Sequence, residues 1–236
     1  MPNNVLMGFY SQMQDVCVEH KPSLNVIHIS TIITASAQLW EAAQQNPRFT
    51  RPHPQAHCDL VTFLRDIFCL QPLPKKVGPR AISNICWSSA KVGVHPDTFV
   101  PGIMDSLTAN FVDSVQAQSA RHRPNAQDLS NFIWGCAVLK HTPSDAAMTS
   151  ISRCFVESME AQVVKDRPNA QNISNLVWSY AVLKHVPSDA AMSSLLRYFV
   201  SLCGGRDPGH RPVPQNISNV LYACAELGIK CQTRYG

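Results

Sequence analysis

No run of about 18 apolar residues occurs, so no transmembrane helix is expected. There is no Gly-rich phosphate-cradling loop, no nucleophile elbow and no pair of catalytic carboxylates, and nothing argues for an enzyme. Glycine is sparse at 10 residues, and the nine cysteines contain no Cys-x-x-Cys pair. Cys86, Cys136, Cys154 and Cys224 sit among apolar residues and are expected as buried, reduced thiols, which points to a reducing compartment. His53-x-x-x-His57-Cys58 has a metal-like spacing but lacks a second ligand pair nearby. No metal, cofactor or small-molecule substrate is expected. Met1 to His20 lacks the basic start and long apolar core of a signal peptide. It also lacks the Arg- and Ser-rich, acid-poor character of a transit peptide.

What remains is ordinary foldable composition, 45% hydrophobic and 15% charged over 236 residues. A chain of this length can bury a sizeable core. The net charge of +4 permits a nucleic-acid partner without demanding one.

The chain repeats itself. Gln171 to Met192 is a near-copy of Gln127 to Met148, and weaker copies start at Ala81 and Gln215. A Ser-Asn pair marks the register at Ser83, Ser130, Ser174 and Ser218, successively 47, 44 and 44 residues apart. A fixed period in this range means stacked supersecondary units. The fold class expected is all-α, an alpha-alpha superhelix built as a helical-hairpin solenoid of about five repeats. Residues 1–22 read as the second helix of a preceding repeat, with Phe9, Met13, Val16 and Cys17 at helical spacing. The units follow at 23–74, 75–121, 122–165, 166–209 and, in part, 210–236. The first unit is divergent: Ile29-Ser30 aligns with Ile82-Ser83, and Thr31 and Thr34 replace the Asn and Trp. Both outer helices are expected to carry an apolar face that further repeats or a partner would cover.

In the unit at 166–209, Ile173, Leu176, Val177 and Tyr180 share one helical face, and Trp178, Ala181 and Val182 fill much of another. Asn169 is a candidate N-cap for the first helix, and Ser188 for the second. Apolar packing by the second helix is expected from Ala191, Leu195, Tyr198, Phe199 and Leu202. A narrow polar stripe remains, and it recurs as Ala81/Asn84/Ser88, Asp128/Asn131/Gly135, Asn172/Asn175/Ser179 and Asn216/Asn219/Ala223. Such a stripe could read unstacked bases, since Asn offers a donor and an acceptor to a base edge. Alternatively, each central Asn bonds the neighbouring repeat's backbone and locks the stack. The central Asn is the same in each full repeat, whereas the flanking positions vary as a modular reader requires. Ser83, Ser130, Ser174 and Ser218 are read as packing residues. Trp87, Trp134, Trp178 and Tyr222 are read as inter-repeat core, with base stacking as the other reading.

Basic residues precede successive first helices: Arg80, Arg121 with Arg123, Lys165 with Arg167, and Arg211. Stacking would set Arg80, Arg123, Arg167 and Arg211 on one edge as a ladder for phosphates, beside helix N-termini. A second basic row, Lys91, Lys140, Lys184 and Lys230, is expected at the helix ends.

The motif Q-[ND]-[IL]-S-N-x-x-[WY]-x-x-A-x-L, with Pro closing the helix, resembles the octotricopeptide-repeat proteins of green-alga organelles. It is also similar to helical repeats in chloroplast translation factors, in the mitochondrial RNA-editing substrate-binding complex and in Fas-activated kinase-domain-type proteins. The resemblance implies a non-catalytic module that binds single-stranded RNA in a chloroplast or mitochondrion and controls its processing, stability or translation. Other proteins of a ribonucleoprotein complex would be further partners, and no membrane is involved. The competing expectation is an armadillo-like scaffold whose Asn ladder holds an extended peptide or partner protein. A structural spacer inside a larger protein is a third.

Overall fold

The computed structural model describes residues 2–21, 24–45, 54–70, 77–117, 119, 122–161, 163, 167–204 and 211–229. Every regular element among them is helical: α1 (Pro2–Glu19), α2 (Val26–Gln45), α3 (Pro54–Leu70), α4 (Pro79–Val92), α5 (Ile103–Val115), α6 (Ala126–Leu139), α7 (Asp145–Ser158), α8 (Ala170–Val182), α9 (Asp189–Cys203) and α10 (Pro214–Glu226), with a 3-10 turn at Pro96–Thr98. First and second helices alternate as the repeat implies. The chain divides into two compact units, Met1–Phe111 and Val112–Gly236, and the boundary falls inside α5.

In the second unit the first helices α6, α8 and α10 stack in sequence, and the second helices α7 and α9 pack on each other and on their own first helices. Leu129, Phe132, Ile133 and Cys136 of α6, and Ile173, Leu176, Val177 and Tyr180 of α8, are fully buried. Ile151 and Phe155 of α7 and Leu195 and Phe199 of α9 close the core from the other layer. Ala191, Tyr198 and Leu202 are only half-buried. Tyr180 Oη lies 2.6 Å from Ser152 Oγ, tying α8 to α7. In the first unit α2 stacks on α4, and α1 on α3. Lys91 of α4 reaches Glu41 of α2 at 2.7 Å, and Ser88 Oγ donates to Thr34 Oγ1 at 3.2 Å. Helix α1 buries Tyr10 and Cys17, while Phe9 and Val16 are exposed, so its packed face is rotated from the expected one.

The helix ends follow from local sequence. Asn125 and Asn169 accept from the amides of Asp128 and Asn172, and those side chains accept in return from the cap amides, a reciprocal capping box at both helices. Ser144 and Ser188 cap α7 and α9. At the C-termini a left-handed residue stands ten positions after each Ser of the register: Gly93, Lys140, Lys184 and Gly228. In all four the amide of that residue bonds back three residues and the next amide bonds back five, a Schellman motif. The period therefore includes the stop signal as well as the start.

Candidate ligand-binding ridge

The flanking positions of the expected stripe do not face solvent. Ala81, Asp128, Asn172 and Asn216 are all buried, and so are Ser88, Gly135, Ser179 and Ala223. Asp128, Asn172 and Asn216 occupy the third position of their helices, where the side-chain oxygen accepts from the amide three residues earlier. The two asparagines turn their nitrogens to the preceding repeat. Asn172 Nδ2 donates to Ser130 Oγ at 3.1 Å, and Asn216 Nδ2 donates to Ser174 Oγ at 3.0 Å. Ser130 and Ser174 themselves donate to the carbonyls of Gln127 and Gln171. Ser130 and Ser174 are thus relays between repeats as well as small packing residues. Ser179 Oγ donates to the Asn175 carbonyl one turn earlier. The variation at the flanking positions is variation in a cap and in packing.

The central Asn residues differ. Asn84, Asn131 and Asn175 are half-buried, as is Asn219. One turn before each lies a polar residue open to solvent: Arg80, Gln127, Gln171 and Gln215. Three residues after each lies an aromatic: Trp87, Trp134 and Trp178, half-buried, and Tyr222, exposed. Residues four and three apart share a helix face. The accessible ridge of α4, α6, α8 and α10 is therefore polar–Asn–aromatic. The indoles are not the fully buried inter-repeat core expected of them. The recurrence of Gln, Asn and Trp at i, i+4 and i+7 was the sequence signal for this ridge. In the second unit the ridges of α6, α8 and α10 lie side by side because those helices stack.

The basic residues do not form the ladder expected. Arg80 lies in the first turn of α4, three residues before Ser83, whereas Arg123, Arg167 and Arg211 stand seven before their serines. Arg123 donates to Glu157 at 2.7 Å and to Cys154 Sγ at 3.4 Å, clasping α7. The Glu157 bond raises the Arg123 pKa, and burial pushes the Cys154 thiol up against the opposing pull of Arg123. Arg167 Nε donates to the Ala161 carbonyl at 2.7 Å. Arg211 is exposed. Lys140 and Lys184 stand at equivalent left-handed positions, and both are exposed. Lys91, two residues out of that register, is paired with Glu41 and lies 5.3 Å from the Trp87 ring centroid. Arg121, Lys165 and Lys230 lie outside the described residues.

Cys86, Cys136, Cys154 and Cys224 are buried, and burial pushes the Cys86 thiol up to about 12. Nε2 of His57 is 3.2 Å from the Val92 carbonyl, and its ring lies against Trp40. His53 lies outside the described residues. Among the described residues no group of three or more His, Cys, Asp and Glu could hold a metal ion. None of their helices is long and apolar enough to cross a membrane.

No family model matches the chain, and no curated protein matches it.

Proposed function

We propose that this protein is a non-catalytic helical-repeat module that binds single-stranded RNA along the ridges of its first helices. The observation that carries the reading is the recurrent, partly open Asn–aromatic pair: Asn131 with Trp134, Asn175 with Trp178, and Asn219 with Tyr222. An aromatic face stacks an unstacked base, and an amide three residues away meets a base edge. Lys140, Lys184 and Arg211 are solvent-accessible cations of the second unit that suit phosphates. Control of organellar RNA processing, stability or translation belongs to this proposal through the motif resemblance alone.

Fluorescence anisotropy with labelled single-stranded RNA across a salt series tests it. Trp134→Leu and Trp178→Leu should each weaken binding by about 1–3 kcal/mol. Neutralising Lys140, Lys184 and Arg211 to Gln should flatten the log–log salt slope by roughly 0.7 for each phosphate that is no longer neutralised. No binding at low salt, or an unchanged affinity in the Trp variants, overturns the reading.

One observation favours a second reading. Arg123 and Arg167 are engaged inside the chain, so the ridge offers fewer cations than a strand of phosphates would use. A ridge of uniform amides and aromatics also suits the backbone of an extended peptide, which an amide can meet as donor and acceptor at once. Loss of a protein partner in an Asn131→Ala/Asn175→Ala variant, with no RNA bound by the wild type, would establish this scaffold.

A further inference from the structure

We infer that the ridges of α6 and α8 read the same base, so that the RNA favoured by the second unit is a run of one base and not a mixed sequence. This rests on the ridge being an RNA site, as proposed above, and adds the kind of sequence that site takes.

The two repeats have diverged, but their first helices have diverged only on the inside. Ala126 to Lys140 reads AQDLSNFIWGCAVLK, and Ala170 to Lys184 reads AQNISNLVWSYAVLK. The positions that differ are Asp128/Asn172, Leu129/Ile173, Phe132/Leu176, Ile133/Val177, Gly135/Ser179 and Cys136/Tyr180, and every one of these residues is buried. Each open or half-open position is identical: Gln127, Asn131, Trp134, Val138, Leu139 and Lys140 match Gln171, Asn175, Trp178, Val182, Leu183 and Lys184. Open positions ordinarily tolerate substitution at little cost in stability, and packed ones feel each change. Stability therefore does not account for this pattern, whereas a shared ligand does. Elsewhere on the same repeats exposed positions do differ: Thr149/Ser193 and Glu157/Ser201 on the second helices, and Thr142/Val186 in the connections.

The matching side chains suit one unpaired base per ridge. Among the described residues the side-chain amides of Gln127, Asn131, Gln171 and Asn175 make no hydrogen bond. Each ridge thus offers two amides, with a donor and an acceptor apiece, beside one indole. An amide meets the base edge and the indole stacks its face. Helices α6 and α8 pack on each other. Packed helices lie about 8–10 Å apart, a gap spanned by anything from one unstacked nucleotide to three stacked ones at about 3.4 Å each. Identical side chains on an equivalent backbone have one preference, so the base on α8 must be the base on α6. Helix α10 does not extend the pair, because Gln215 Nε2 donates to Asn219 Oδ1 at 2.8 Å and Tyr222 replaces the indole.

Anisotropy titrations of the whole chain with labelled single-stranded oligonucleotides of one length test this. Runs of adenine, cytosine, uracil and 7-deazaguanine, which does not form quartets, are compared with a repeat of these four bases in fixed order. In that repeat no base recurs within three positions, so in any register only one ridge meets its base. The best run should bind roughly five- to hundredfold tighter than the four-base repeat, the range for one correct base contact. Asn131→Ala and Asn175→Ala should each weaken that run by the same factor. Each should also erase most of its advantage, because one working ridge is satisfied by either RNA. Urea melts confirm that both variants fold; each replaces a half-open side chain. An asparagine with only a structural role would lower affinity for both RNAs alike; an unchanged ratio in the variants overturns the inference. So does a loss confined to one of the two variants. A wild type that binds the four-base repeat as tightly as the best run overturns it too, while the RNA reading stands. No RNA bound at low salt overturns both, and the paired subsites then fit a peptide with a repeated side chain.

Discussion

The side-chain amide of Asn172 spans a whole repeat: its oxygen accepts from the Asn169 amide at 3.1 Å, and its nitrogen donates to Ser130 Oγ at 3.1 Å. One buried side chain therefore closes the N-terminus of α8 and pins α8 to α6. Leucine at this place would lose both bonds and leave buried groups unpaired, while aspartate would keep the cap and lose the donor.

Asn172→Ala should cost about 1–3 kcal/mol, the penalty for leaving buried hydrogen-bonding groups unpaired. Ser130→Ala should couple to it by roughly 0.5–3 kcal/mol in a double-mutant cycle, because the two share one bond. Urea unfolding of the four proteins measures this; additive losses would show that the bond carries no energy.

Trp178→Ala should cost less than Leu176→Ala. Leu176 is fully buried, so its truncation falls in the range of about 2–5 kcal/mol. Trp178 is only half-buried and gives up just the covered part of its ring. Thermal or urea melts of the two variants decide the order.

Lys184→Gly should stabilise the protein. Lys184 holds φ 55, where a Cβ is disfavoured, and Gly93 and Gly228 stand at the equivalent places. Relief of roughly 1–2 kcal/mol is partly offset by the freer unfolded chain, leaving a net gain below about 1 kcal/mol. The Lys140→Gly variant should shift the urea midpoint the same way.

Stability should fall as pH drops below the ordinary histidine range. The His185 side chain is only 10% exposed, and its Nε2 is buried with no hydrogen-bond partner among the described residues. Burial lowers its pKa below 6.5, and this outweighs the opposing effect of Asp145, 3.7 Å away and itself exposed to solvent. The unfolded chain thus binds the proton more readily than the folded one. The contribution is complete above about 6.5 and is lost as pH falls from there through the folded-state pKa. Urea midpoints of the wild type should therefore drop more steeply from neutral pH downward than those of His185→Leu, which lacks the imidazole.

The sequence by itself determined the repeat, the alternation of first and second helices and most of their ends. These are local facts: Asn169 and Ser188 cap because the next turn's amides need an acceptor. The core face Ile173–Leu176–Val177–Tyr180 was equally legible, since four large apolar side chains on one arc must be covered. Only the tertiary structure decided which polar residues face solvent. A helical wheel gives the angle of each side chain but not the directions from which neighbours approach. Asn172 and Asn175 are both polar and lie three residues apart, yet the first is buried against Ser130 and the second stands half-open. Trp178 looks like core by composition, yet it lies toward the open side because α6 and α10 occupy the other flanks of α8. Arg123 and Arg167 look like a ladder for an anionic strand until Glu157 and the Ala161 carbonyl accept their hydrogen bonds. A buried polar group and an exposed one are the same letter; neighbours far apart in the chain set the difference.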